Sequence, residues 1–230
     1  MQYMGINENR FRFLGIAMVL VAVTVVFLVE QVIQPSYWIK TAVKVLAFSA
    51  PVVLYSFLRG ISLTETINLR KISGPAPIVF CMLLFSVGVV ALFFIFRDNL
   101  DLAGIRQNLM RKESLSPENC LYVFAYIILC NSFLEEAFFR GFVYGLFRSK
   151  VAGSLISAVL FSLYHIGIFI TWFSLPIFIL CVAGLAVVGL FLQWISEKYH
   201  SIAASYVVHA SANLSINLIG ALLIFEIIGK

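Results

Sequence analysis

Charged side chains are scarce in this sequence: they make up 12% of its 230 residues, whereas 62% of the residues are hydrophobic. Soluble domains carry about twice that share of charge, so the composition excludes a soluble globular enzyme, a disordered chain and a nucleic-acid-binding domain. The ten-residue blocks of alternating apolar and polar residues typical of an outer-membrane barrel are absent as well. Long apolar runs remain, and in lipid such runs satisfy their backbone groups as helices. The sequence therefore predicts an all-α, polytopic transmembrane helix bundle.

Several motifs of known hydrolases and redox proteins are also missing. The sequence contains no GxSxG elbow and no HExxH helix, so it lacks the signatures of the α/β-hydrolases and of the zincins. The four cysteines show no CxxC spacing and lie in or at the ends of apolar runs, so we expect apolar filler without a disulfide. These cysteines are Cys81, Cys120, Cys130 and Cys181.

Seven apolar runs are long enough to cross a bilayer, which takes about 20 residues. They lie at residues 12–33, 38–58, 76–96, 118–147, 151–172, 175–195 and 201–225. The fifth and sixth runs have almost no loop between them, so we expect about seven to eight membrane helices in a single membrane domain, residues 1–230. The first run is too long for a signal-peptide core and no small-residue cleavage site follows it. We therefore expect it to be retained in an integral, multi-pass membrane protein.

Lys and Arg residues in the loops indicate how the chain is oriented in the membrane. With the N-terminus inside, eight of these residues fall in inner segments and six in outer segments, which favours that orientation. The longest polar stretch, residues 97–118, mixes apolar and basic residues. It predicts either an amphipathic helix on the membrane surface or a solvated loop.

The fourth run carries charges where a membrane helix usually has none. Glu135, Glu136 and Arg140 lie within it, and each central charge costs about 2.5–3.5 kcal/mol on insertion scales. Glu136 and Arg140 are four residues apart, so they share a helix face and can form an ion pair. Glu135 is rotated by about 100° from Glu136 and faces a different environment. We therefore expect a functional site on this helix.

Polar residues in two later runs reach a similar depth. His165 lies in the fifth run, and His209 and Asn213 share one face of the seventh because they are four residues apart. Together with Glu135 they lie roughly 12–21 Å from one membrane face, at 1.5 Å per helical residue. Gly184 and Gly189 in the sixth run predict close helix packing nearby. His200, in a charged loop, is expected to be solvated.

These residue types fit hydrolysis of an amide by activated water. A glutamate in an apolar cavity can act as a general base, a histidine can hold or share a water, and a His/Asn pair can stabilise an oxyanion. A zinc-dependent alternative stays open, because Glu135, His165 and His209 could supply the His₂Glu ligands of a catalytic zinc. Asn213 suits an oxyanion donor better than a metal ligand.

The three motifs together resemble one family. Glu135-Glu136-x-x-x-Arg140, Phe161-x-x-x-His165 and His209-x-x-x-Asn213 are similar to the CPBP family, the CAAX-protease and bacteriocin-processing intramembrane proteases. Its members are also called Abi proteins or type II CAAX prenyl endopeptidases. A weaker signature between the last two motifs matches Phe178, Gly184 and Gly189. The resemblance covers residues 117–217, which we expect to form the catalytic helices.

The resemblance implies a glutamic intramembrane protease without a cofactor. It assigns Glu135 as the general base, His165 as the residue that holds the water, and His209 with Asn213 as the oxyanion hole. Glu136 and Arg140 would shape the site. The short chain suits a prokaryotic member in a cell membrane, with a processing or bacteriocin-immunity type of role. The expected partners are the lipid bilayer and a membrane-embedded or lipidated peptide or protein, with no nucleic acid.

Two other functions fit some of the same residues. Intramembrane Glu and His also occur in proton relays, so a proton-coupled transporter is one alternative. The sequence shows no inverted repeats or pairs of broken helices, which counts against it. A non-catalytic immunity or scaffold protein that binds its partner through the helices is the other alternative.

Overall fold

The computed structural model describes residues 2–72, 74, 76–169 and 172–229. These residues form helices and connecting turns without a strand, as the composition predicts. In chain order, the described helices are α1 (Gln2–Leu28, extended by a π-helical turn over Val29–Ile33), α2 (Tyr37–Arg59), α3 (Leu63–Thr66), α4 (Ala76–Phe96), α5 (Leu102–Arg111), α6 (Cys120–Val143), α7 (Lys150–Phe169), α8 (Leu175–Lys198) and α9 (Ile202–Ile224).

Seven of these helices, α1, α2, α4, α6, α7, α8 and α9, are long and apolar enough to cross a membrane. The prediction of an all-α, multi-pass membrane bundle is therefore confirmed, and within the described residues the number is seven rather than eight. The predicted fifth span ran to residue 172, but α7 is described only to Phe169 and residues 170 and 171 lie outside the described part. Most side chains of α4 and α8 point outward and are apolar, as lipid-facing helices require.

The helix ends lie on two opposite faces of the bundle. We call one of them the Arg70 face; it is the side where α2, α6 and α8 end and where α4, α7 and α9 begin. The opposite side, where α1, α4, α7 and α9 end, is the Glu113 face. On the Arg70 face, the Ser201 hydroxyl donates to the Arg70 carbonyl (2.7 Å) and accepts from the Arg70 amide (3.0 Å). This pair of hydrogen bonds fixes the segment between α3 and α4 against the start of α9.

The polar stretch between α4 and α6 contains an amphipathic helix, α5. Its first turn is capped by the Asp101 side chain, which accepts from the Gly104 amide at 2.9 Å. Ile105 is buried, and the helix packs against α9. The alternative of a solvated loop is therefore wrong for residues 102–111.

Helix α6 is irregular at the point where its charges lie. The chain adopts π-helical geometry over Ile127–Asn131 and again over Glu136–Val143, with one α-helical turn, Ser132–Glu135, between them. π-Helical segments inside α-helices are rare and occur frequently at functional sites. Every residue from Glu135 to Val143 is buried, so α6 is the central helix of the bundle.

Close helix contacts around α6 depend on small residues. A Cβ atom at Gly141 would lie 2.6 Å from the Cα and carbonyl oxygen of Ile67, so only glycine allows this approach. At Gly189 a Cβ atom would lie 3.0 Å from the Cα of Ala158, which confirms the predicted close packing of α8 on α7. The same prediction is wrong for Gly184, because a Cβ atom there would have no neighbour within 4 Å. Gly184 lies on an exposed part of α8, so no neighbouring helix packs against it.

Candidate active site

Three helices bring a carboxylate and two imidazoles together inside the bundle. The Oε2 atom of Glu135 on α6 lies 3.9 Å from Nε2 of His165 on α7 and 3.8 Å from Nε2 of His209 on α9. The Glu135 side chain is 2% exposed. The sequence predicted that these three residues have similar depth, and the structure places them in one cluster.

The two oxygens of Glu135 have different surroundings. Oε1 accepts hydrogen bonds from Nδ2 of Asn131 (2.7 Å) and from the hydroxyl of Tyr164 (3.1 Å). Oε2 is buried and accepts no hydrogen bond from any described residue. Asn131 and Tyr164 therefore fix the carboxylate by one oxygen and leave the other directed at the two histidines.

Sequence reasoning missed Asn131 and Tyr164, although both had a usable signal. Asn131 lies four residues before Glu135, on the same helix face. Tyr164 directly precedes His165 and is a polar side chain within an apolar helix. The Tyr164 hydroxyl reaches Glu135 because of the way α7 is rotated about its axis against α6. This rotation depends on helix packing rather than on the local sequence.

Glu136 and Arg140 form the predicted ion pair beside the cluster. The Nε atom of Arg140 lies 3.5 Å from Oε2 of Glu136, and both side chains are fully buried. The guanidinium lies 4.0 Å from the centre of the Phe161 ring, at a cation–π distance. Oε1 of Glu136 lies 2.9 Å from Nδ1 of His209. Glu136 therefore links the arginine to the imidazole.

The hydrogen-bond partners of the two histidines assign their tautomers. Nδ1 of His165 lies 2.7 Å from the Phe161 carbonyl, which can only accept, so Nδ1 carries the hydrogen. In a neutral imidazole Nε2 is then an acceptor. Nδ1 of His209 donates to Glu136 in the same way. Both rings therefore turn Nε2 towards Oε2 of Glu135.

Asn213 lies one turn from His209 but has a separate anchor. Its Nδ2 atom donates to the hydroxyl of Ser132 on α6 at 2.8 Å. A side-chain amide has two N–H groups, so the second N–H is available to another acceptor. His200, in contrast, lies exposed in the turn between α8 and α9, as predicted.

The cluster has the donor types of a zinc site but a wider spacing. Ligands bound to a tetrahedral zinc at about 2.0–2.1 Å lie about 3.3 Å apart. The carboxylate–imidazole distances of 3.8 and 3.9 Å exceed that value. Among the described residues, no group of three His, Cys, Asp or Glu side chains is arranged to hold a metal. Glu135, His165 and His209 in this arrangement do not fit a bound zinc ion.

Comparisons with known proteins match the part of the chain that carries this cluster. The model of the family described as type II CAAX prenyl endopeptidase Rce1-like matches residues 117–215. A curated relative, the UPF0177 protein YxdF of Lactococcus lactis subsp. lactis (strain IL1403), is 33% identical over 95 residues. That alignment covers 38% of this chain and 48% of the relative, so the chain spans about half the length of the relative that it matches. No solved structure matches significantly.

The family match includes the whole cluster. Glu135, His165 and His209 all lie within the matched residues, as do the three motifs on which the resemblance rests. At the level of the family, the match supports a CAAX-protease-like intramembrane endopeptidase. The part of the chain from residue 117 to residue 215 is therefore similar to the Rce1-like type II CAAX prenyl endopeptidase family, and this is the part that carries the three motifs.

Proposed function

We propose that this protein is an intramembrane endopeptidase in which Glu135 activates a water molecule to hydrolyse a peptide bond. The proposal rests mainly on the arrangement of Glu135 and His165. Their acceptor atoms, Oε2 of Glu135 and Nε2 of His165, lie 3.9 Å apart in a buried site. One water that donates to two acceptors at about 2.8 Å holds them about 4.4 Å apart at its ideal angle, and a modest closing of that angle reaches the observed separation. The pair can therefore orient a single water with its lone pairs directed at a substrate carbonyl.

The proton transfers follow from this arrangement. Oε2 of Glu135 takes a proton from the water as its oxygen attacks the carbonyl carbon, and the carbonyl π electrons move to the oxygen. When the tetrahedral intermediate collapses, the C–N bond breaks and Glu135 returns the proton to the leaving nitrogen. Asn131 and Tyr164 hold Oε1 throughout, so the carboxylate stays in position while its charge changes.

The oxyanion of the intermediate requires donors on the other side of the carbonyl. His209 donates from Nδ1 to Glu136, and it offers an Nε2–H to the oxyanion when a second proton is on the ring. The second N–H of Asn213 is the other candidate donor. Glu136 and Arg140 keep His209 in place. Donors fixed before the reaction stabilise the developing charge without reorganisation.

The position of the site in the bundle indicates the substrate class. Glu135 lies within α6, fifteen residues after Cys120, among helices that face lipid. A peptide bond can reach it only from a substrate that is itself hydrophobic or anchored in the membrane. We infer a membrane-anchored, lipidated or hydrophobic peptide as the substrate, in the cell membrane of a prokaryote, and the bacterial relative agrees with that setting.

The test compares the termini of membrane proteins in cells that carry the wild-type protein or Glu135→Gln at matched expression. A peptide terminus present only with the wild type is the expected result, and it also names the substrate. Glu65→Gln is the matched control, because Glu65 is exposed and lies in the short helix α3, outside the cluster around Glu135. This control should give the wild-type termini.

Identical termini for the wild type and Glu135→Gln, with normal biological function in both, would contradict the proposal. That outcome would favour a non-catalytic immunity or scaffold protein. Flux of a solute in proteoliposomes that stops in Glu135→Gln would instead indicate a proton-coupled transporter.

A further inference from the structure

A second group of polar side chains is enclosed in the bundle, between the candidate active site and the Arg70 face. Arg140 on α6 and Gln193 on α8 are each 1% exposed, and Glu136 is fully buried. At 1.5 Å per helical residue, Arg140 and Gln193 lie about 5 and about 8 Å from the ends of their helices at the Arg70 face, and Glu135 lies about 12 Å from the end of α6. Arg140 and Gln193 therefore lie in a layer nearer the Arg70 face than the catalytic carboxylate.

The guanidinium of Arg140 is buried without a hydrogen-bond acceptor. Its Nε atom lies 3.5 Å from Oε2 of Glu136 but not in hydrogen-bond geometry, and Nη1 and Nη2 meet no acceptor on any described residue. The Phe161 ring covers one face of the group, whereas the five N–H groups of a guanidinium lie in its plane. Arginine keeps its proton in proteins, and a buried charge without hydrogen bonds is strongly unfavourable. These N–H groups therefore require acceptors.

Gln193 is a second buried side chain whose polar atoms lack partners. Neither its Nε2 nor its Oε1 atom forms a hydrogen bond with the part of the chain that the structure describes, and the same holds for Oε2 of Glu136. The group thus combines N–H donors on Arg140, an acceptor on Glu136, and one donor and one acceptor on Gln193. Water both donates and accepts, and buried waters typically make about three hydrogen bonds to such groups. Water is therefore the ligand that satisfies all of them.

Helix packing brings these side chains into one region. Helix α8 contacts the π-helical end of α6. Gln193 lies one turn after Gly189 on the same face of α8, and Gly189 packs closely on α7 beside Ser157. The Ser157 hydroxyl donates to the carbonyl of Phe139 at 2.8 Å, and Phe139 directly precedes Arg140. Gln193 and Arg140 therefore both belong to the region where α6, α7 and α8 meet.

We propose that Arg140, Glu136 and Gln193 form a water-binding site inside the bundle, separate from the water that Glu135 would activate. The waters accept from the guanidinium, donate to Oε2 of Glu136 and exchange hydrogen bonds with the Gln193 amide. Because Oε1 of Glu136 lies 2.9 Å from Nδ1 of His209, hydration of the ion pair also keeps this carboxylate beside the imidazole. Gln193 lies outside the three motifs, so no motif assigns it a role.

The experiment detects the waters directly, by radiolytic footprinting of the full-length protein in nanodiscs in H₂¹⁸O. Hydroxyl radicals formed from a bound water oxidise the side chain beside it, and mass spectrometry then finds ¹⁸O in that side chain. Phe161 is the probe, because it is 1% exposed and its ring centre lies 4.0 Å from the guanidinium. Phe48, which is fully buried among aromatic rings, is the reference without water. We expect ¹⁸O in Phe161 and none in Phe48.

Substitution of Gln193 separates these waters from a water at Glu135. Gln193→Leu removes both polar atoms at similar volume, so the waters lose a partner. Phe161 should then lose most of its ¹⁸O, and the melting temperature should fall by about 2–4 °C. If no water is bound, Leu instead relieves a buried amide without hydrogen bonds, and the melting temperature rises. Gln107→Leu, at an exposed position on α5, is the control and should change neither quantity.

Three results would overturn the proposal. They are ¹⁸O in Phe161 no higher than in Phe48, a higher melting temperature in Gln193→Leu, and unchanged labelling of Phe161 in that variant, which would assign the label to a water at Glu135. If Gln193→Leu does not fold, Gln193→Met, which keeps the unbranched shape, decides by the same measurements. None of these results depends on cleavage, so a failure of the proposed function would leave the water-binding site standing.

Discussion

At the scale of single residues, the asymmetry of the Glu135 carboxylate leads to a first prediction. Tyr164→Phe removes the hydrogen bond to Oε1 and little else, because the ring remains packed beside Phe48 and Phe139. Hydrogen bonds to charged groups contribute about 1.5–3 kcal/mol, so kcat on the identified peptide should fall about 10- to 100-fold. KM should change less than about 2-fold, because Tyr164 positions the base and does not bind the substrate.

The control for this prediction is Tyr122→Phe, which removes a hydroxyl from an exposed position on α6 and should leave kcat unchanged. If Tyr164→Phe raised KM and left kcat intact, Tyr164 would be a binding residue. A parallel loss of folded protein in Tyr164→Phe would mean that its hydroxyl is structural.

The wide carboxylate–imidazole spacing leads to a second prediction, about metal removal. Glu135 Oε2 lies 3.8–3.9 Å from both Nε2 atoms, farther than ligands of one zinc ion lie from each other. We expect full peptide cleavage after prolonged chelation and dialysis, and less than stoichiometric zinc in the purified protein by elemental analysis. Activity that is lost on chelation and returns specifically with zinc would contradict the metal-free mechanism.

The pKa of Glu113 leads to a third prediction, on stability. Burial raises that pKa in the folded state, so folding favours the protonated form. The protonated carboxyl therefore stabilises the fold at a pH below the ordinary glutamate pKa of 4.5. This contribution is lost as the pH rises through the higher pKa of the folded state. Glu113→Gln has no such dependence. The melting temperature of the wild type should therefore fall relative to Glu113→Gln between pH 4 and pH 7.

Glu118→Gln provides the control with the opposite sign. A hydrogen bond with Ser116 lowers the pKa of the exposed Glu118 carboxyl, so any stability from it is present above the ordinary value and is lost as the pH falls. The Nζ atom of Lys40 lies 3.5 Å from Oε1 of Glu113. A wild type that gained stability relative to Glu113→Gln as the pH rose would show that this ion pair outweighs the burial of Glu113.

At the scale of helices, the packing of α6 depends on Gly141, which yields a fourth prediction. Gly141→Ala would place a methyl group 2.6 Å from backbone atoms of Ile67, which cannot move aside as a side chain can. Overpacking of this kind costs about 1–3 kcal/mol. We expect a lower melting temperature and reduced activity, because Arg140 is the adjacent residue. Gly145→Ala is the control, since a Cβ atom there meets nothing within 4 Å, and it should melt like the wild type.

The helices also show how far the sequence could predict the site. Apolar length alone predicted the seven spans, because each must cross the same bilayer thickness. The four-residue spacing predicted the Glu136–Arg140 pair, which needs only one helix. Asn131 and Tyr164 were missed because their roles depend on how α6 and α7 rotate against each other. The expectation for Gly184 was wrong for the same reason, because the sequence of a helix does not show which of its faces packs against a neighbouring helix.

At the scale of the whole molecule, the two faces of the bundle must lie on opposite sides of the membrane. The loop that contains Thr64 joins α2 to α4 at the Arg70 face, and the loop that contains Glu118 joins α4 to α6 at the Glu113 face. The distribution of Lys and Arg predicts that the Arg70 face is inside the cell.

This orientation gives the fifth prediction, which cysteine labelling can check. In a variant whose four native cysteines are replaced by alanine, Thr64→Cys and Glu118→Cys are introduced separately and treated with a membrane-impermeant maleimide. Glu118→Cys should react in intact cells, and Thr64→Cys only after permeabilisation. The reverse pattern would show that the Arg70 face lies outside the cell. Labelling of both positions in intact cells would contradict the span α4, because that helix alone separates the two loops between α2 and α6.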